Sequence, residues 1–97
     1  MTPVTHRVVG EAGVLTFDGE VIEAFGFSRE HSARIHVALL AKIDVSDGGR
    51  FMSPGINFES SAQVMPLGTR FTAEEMAGPE MKSLLDAIRA AAPQVPG

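Results

Sequence analysis

The sequence predicts a mainly β fold of the α+β class, an antiparallel sheet followed by one C-terminal helix. Three observations carry this. The first three quarters of the chain are short β-prone runs broken by turn residues, at "DGGR", "SPG" and "PLG". An Asp-Gly pair, Asp18-Gly19, sits between two β-prone runs, as in a hairpin. The last quarter changes to helical spacing, with Met81, Leu84, Leu85 and Ile88 at i, i+3, i+4 and i+7.

The hairpin covers Gly13 to Phe27. A three-residue loop gathers Leu15, Phe17, Val21, Phe25 and Phe27 on one face, with Glu23 as the exception. A two-residue loop mixes polar and apolar residues on both faces, so the three-residue loop is the predicted one. The next stretch, "RIHVALLAKIDV" (Arg34 to Val45), alternates Ile35, Val37, Leu39, Ala41, Ile43 and Val45, which is a strand signature. Read as a helix, it is apolar nearly all round and lacks a clear terminal cap. Eleven residues exceed a typical strand, and Ala38-Leu39-Leu40 is poor in β formers, so a corner there divides it in two. "GINFES" (Gly55 to Ser60) alternates and reads as a strand. Pro66 within "AQVMPLGTRFT" (Ala62 to Thr72) signals an edge, a bulge or a turn.

The closing helix starts at Pro79, whose missing N–H costs nothing in a first turn, and Glu80 suits the positive end of the dipole. Ala91 and Ala92 continue its apolar stripe, Lys82, Asp86 and Arg89 take the other side, and Pro93 ends it. Thr72 and Glu75 have the spacing of a capping box for a short turn before Gly78-Pro79.

This order resembles the bacterial pleckstrin-homology-like domain family. In "RIHVALLAKIDV", Arg34-Ile35 then ends one strand, Val37 to Leu40 makes the corner and Ala41 to Val45 begins the next. The "VLTFDGEVIE" hairpin and the "MKSLLDAIRAA" helix fall where the family has them. The resemblance spans about residues 8–92 of a single domain, 1–97. It implies a strongly bent antiparallel sheet, a partly open barrel of about seven strands, capped by the last helix. Lipid-binding members hold phosphate with Lys and Arg on the loop after the first strand. Here that loop is "DGE" or "EAG", both acidic, and Coulomb repulsion opposes phosphoinositide binding.

Composition narrows function. Hydrophobic content is 44% and charged content 21%, ordinary for a globular chain that buries its own core. There is no cysteine, which removes disulfides and thiolate metal sites. No apolar run approaches the ~20 residues of a membrane helix, and "MTPVTHRVVGEAG" lacks the pattern of a signal peptide, so the expected location is cytoplasmic. Net charge is −4 and the eight basic residues are scattered singly, which argues against nucleic acid.

No catalytic motif stands out, and the expectation is a non-enzyme with no cofactor and no metal. His31 and His36, with Glu30, lack zinc-ligand spacing; His31 reads as a solvated loop residue and His36 as a half-buried strand residue. Ser28, Ser32, Ser53, Ser60 and Ser61 are in no nucleophile elbow and read as turn residues. The paired acids Glu74-Glu75 read as facing water, and Phe17, Phe25, Phe27 and Met81 as core. The expected role is an interaction module for a protein or peptide, including a second copy of itself. Its candidate surface is the loop from Arg50 to Gly55, with Arg50, Phe51 and Met52 in the contact and the two apolar residues as anchors. The alternative is a small-molecule carrier or small enzyme using a cavity within the sheet, with Arg34 and His36 the first residues to check.

Overall fold

The computed structural model describes residues 5–27, 33–46, 54–62 and 66–95. They form seven strands, one 3-10 turn and two helices. In order these are β1 (His6–Val9), β2 (Val14–Phe17), β3 (Val21–Phe25), β4 (Ala33–His36), the 3-10 turn (Val37–Leu39), β5 (Leu40–Ser46), β6 (Gly55–Ser60), β7 (Leu67–Gly68), α1 (Ala73–Met76) and α2 (Pro79–Ala91). Strands β1–β2–β3–β4 make one antiparallel sheet, and β5–β6–β7 a second. The architecture is mainly β, and the two sheets do not close into one ring. Among the described residues no helix is long and apolar enough to cross a membrane.

The first sheet is built from two tight hairpins. At the first, the Gly10 N–H donates to the Gly13 carbonyl at 2.9 Å, leaving Glu11 and Ala12 as the loop. Gly13 is required there, because a Cβ would strike the Phe25 carbonyl on the neighbouring chain segment. At the second, Phe17 pairs with Ile22 and Leu15 with Ala24. That is a two-residue loop of Gly19 and Glu20, and it corrects the predicted three-residue loop. The cause is local. Asp18 Oδ1 accepts the N–H groups of Glu20 at 2.9 Å and Val21 at 2.7 Å, while Gly19 takes φ +100°. Ile22 and Ala24 therefore face inward in place of Val21 and Phe25, and Phe25 lies exposed rather than in the core.

The stretch from Ala33 to Ser46 is two strands joined by a 3-10 corner. The corner shifts the alternation by one. Ile35, Val37 and Leu40 are buried, while Leu39, inward in a continuous strand, is 42% exposed. His36 caps the corner, its Nδ1 accepting the Ala38 N–H at 3.1 Å. It is exposed, not half-buried as the sequence suggested. Beyond Pro66 only Leu67 and Gly68 pair with β6, so most of the described residues of the predicted run from Ala62 to Thr72 lie outside the ladder, and residues 63–65 are outside the described residues. The chain still follows β6, with the Thr69 N–H on the Ile56 carbonyl and the Phe71 N–H on the Pro54 carbonyl, both at 2.9 Å.

The core lies between the sheets and α2. Leu15, Phe17 and Ile22 from the first sheet meet Ile56, Phe58 and Leu67 from the second, and Met81, Leu84, Leu85 and Ile88 from the helix. Burying each large apolar side chain stabilises the fold by roughly 1.5–3 kcal/mol. The helix ends as expected, since Pro93 holds Ala92 in extended backbone at ψ 111°. Ala92 is buried, but Ala91 is exposed and does not extend the stripe.

Candidate interaction site

Arg50, Phe51 and Met52, together with His31 and Glu30, lie outside the described residues. Arg34 and His36 sit on β4 with exposed side chains; Arg34 Nη2 is 3.4 Å from Glu23 Oε2. Neither lines the hollows described below. Among the described residues no three His, Asp or Glu side chains gather as a metal site. Ser60 and Ser61 serve turns: Ser60 Oγ accepts the Ala62 N–H at 3.0 Å, and Ser61 Oγ donates to the Leu39 carbonyl at 3.2 Å.

The most developed concave feature runs along β1. This strand ends its sheet, with β2 on one side and, among the described residues, no hydrogen-bond partner on the other. Opposite that edge stand α1 and the first turn of α2. Three adjoining hollows separate the walls. One of about 280 Å³ lies between Thr5–Arg7 and Pro79–Ser83. The middle one, about 620 Å³, lies between Arg7–Val9 and Glu74–Glu80. The third, about 430 Å³, turns past Glu11 to Pro54, Arg70 and Phe71. Arg7 and Glu80 border the first two, and Glu11, Thr72 and Glu75 the last two.

Sequence dictates each wall. β1 is a four-residue strand whose Val8 is buried while Arg7 and Val9 face out. The opposite wall depends on Glu75. Its Oε1 accepts the Thr72 N–H at 2.8 Å, and Thr72 Oγ1 accepts the Glu75 N–H at 3.1 Å, completing the predicted capping box. Its Oε2 accepts the Glu11 N–H at 3.0 Å. Glu75 thus ties α1 to the first hairpin and does not simply face water; Glu74 beside it does. Gly10 lets this happen, because a Cβ there would meet Phe71 Cδ1 at 2.8 Å and Glu75 Oε1 at 3.0 Å.

The middle hollow is acidic. Glu11, Glu74, Glu75 and Glu80 line it, against one cation, Arg7, among the described residues. None of these five carboxylate or guanidinium groups forms an ion pair with another described residue. Above it an apolar row crosses the outer face of the sheet, with Val9 beside Val14 and Val14 beside Phe25. Val9 is 64% exposed and Phe25 42%. Among known proteins, no family model, no curated protein and no solved structure matches the chain.

Proposed function

We propose that the chain is a non-catalytic interaction module on a pleckstrin-homology-like scaffold, and that it receives an extended segment of a protein at the free edge of β1. One observation carries this reading: among the described residues the outer edge of β1 has no strand partner, and it borders a hollow of about 620 Å³. A row of unsatisfied N–H and C=O groups is a template for strand addition, and neighbouring strands need only about 4.8 Å of lateral room. The order of four strands, three strands and a helix agrees with the scaffold proposed. The loop after β1 is Glu11-Ala12, which places a carboxylate where phosphoinositide binders carry cations. A ligand cavity between the sheets has less support, since no polar side chain among the described residues is buried there. The loop from Arg50 to Gly55 remains a second proposed contact, with Phe51 and Met52 as anchors; its end, Pro54, borders the third hollow.

Native mass spectrometry of the chain purified gently from its host, joined to hydrogen exchange of the complex, tests this. The expected result is added protein mass with slowed exchange at Arg7–Val9. Added protein mass with slowed exchange only elsewhere would move the site. A bare monomer with a small extra mass would support a ligand carrier instead.

A further inference from the structure

We infer that the segment received at β1 is basic: an extended stretch of a partner protein with Lys or Arg at alternate positions, facing Glu74 and Glu80 across the trough. The inference rests on the edge-addition reading and names its partner. A strand added at β1 sends successive side chains to opposite faces. Those directed at α1 and α2 meet Glu74, Glu80 and, past the hairpin, Glu11. Those directed to the other face pass Arg7 and then Val9, which also border the hollow; there a cation is repelled by Arg7, and an apolar side chain covers the exposed valine. The recognised pattern is therefore basic and apolar in alternation.

Charge selects this occupant over the others. A second copy of the chain carries net charge −4 and no clustered basic run, so it approaches the glutamates against repulsion. Nucleic acid and anionic lipid are repelled for the same reason. Glu75 is already committed to two N–H groups, whereas Glu11, Glu74 and Glu80 are exposed and pair with no described cation, so they are the carboxylates available to a ligand. The backbone edge supplies affinity, and the acidic wall supplies on-rate and choice of partner.

The test uses the full chain and two synthetic peptides of alternating Lys-Val and alternating Glu-Val sequence. Binding is followed by calorimetry at low and high salt, with hydrogen exchange locating the contact. The Lys-Val peptide is expected to bind at least ~10-fold more tightly than the Glu-Val peptide, to weaken in salt, and to slow exchange at Arg7–Val9. The double variant Glu74→Gln, Glu80→Gln should lose about 10-fold in affinity for it, with the fold intact and the melting temperature lowered only by the lost helix-dipole interactions of the two charges. Equal binding of both peptides with slowed exchange at β1 would overturn the basic partner and leave edge addition standing. Lys-Val binding that the double variant does not weaken, or that leaves β1 exchange unchanged, would overturn the inference as diffuse attraction to an acidic protein. Failure of both peptides would overturn it too, and edge addition is then judged by the exchange map of the natural complex alone.

Discussion

Each sheet has an outer strand, β1 in the first, at the edge away from the 3-10 corner, and β5 in the second, directly after it, and the two are finished differently. β5 carries an irregularity between Leu40 and Lys42, and Lys42 lies within 3.5 Å of Asp44 and 3.9 Å of Glu59. A bulge and a charged lysine are the usual means of stopping a strand from pairing with a stranger. β1 has a regular register with β2 from end to end, no bulge and an exposed valine, and it borders the acidic hollow. The difference teaches that a free edge is not a site in itself. Here the irregular strand carries a lysine between two carboxylates, and the regular one borders a hollow lined by glutamates.

The strongest way to break this contrast is to loosen the wall. Leu84 is fully buried on α2, which packs against β1 and β2. Leu84→Ala should cost about 2–5 kcal/mol in urea unfolding. Amides of β1 should then exchange faster by a larger factor than those of β5; an equal change would show that α2 supports both edges alike.

Next in size is Glu75→Ala, which removes the capping box and the tie to Glu11. The expected loss is about 1–2 kcal/mol, with Glu75→Gln recovering part of it because an amide oxygen still accepts. Exchange at Glu11 reports the tie directly.

Asp18 sharpens the comparison by disturbing the first sheet away from the trough. The N–H groups of Val21 and Glu20 hold its carboxyl below the usual carboxylate range. A lowered folded-state value means that the ionised form stabilises the fold above the unfolded-state pKa, and that this contribution fades as pH falls through the folded-state value. Asp18→Ala should cost at most about 1 kcal/mol at neutral pH, since this exposed carboxylate is screened by solvent, and less in strong acid. The two proteins unfolded in urea at both pH values give the comparison.

The smallest effect on stability is expected from Lys42→Val, within about 0.5 kcal/mol, since the ion pairs are exposed. Its informative readout is sedimentation. New concentration-dependent association would show that Lys42 guards β5; unchanged sedimentation would leave the irregularity at Leu40/Lys42 as the guard.

Much of the fold could be read from the residues. The Met81 to Ile88 stripe of α2, the strand from Gly55 to Ser60 and the capping box at Thr72 are short-range signals that stand where their spacing placed them, and the corner falls at Val37–Leu39, one residue before Ala38-Leu39-Leu40. The β2–β3 register was not legible. Val21 and Phe25 look as suitable for burial as Ile22 and Ala24, and the choice fell to two hydrogen bonds at the Asp18 carboxylate. The trough was less legible still. Glu11 and Glu75 are far apart in the chain, and only the topology brings Glu74 and Glu80 opposite β1. A paired Glu74-Glu75 is visible in the sequence, but that one of the two would span to the first hairpin is not.

The reach of Glu75 also bears on the order in which the molecule assembles. A helix of four residues is far below the length that persists alone in water. α1 therefore borrows its order from Glu11, 64 positions earlier in the chain. A fragment holding only the C-terminal third would lose this turn even where α2 kept some helicity. The acidic wall is accordingly coupled to the first hairpin: without the Glu11 N–H, Glu75 loses the tie that holds α1 opposite β1.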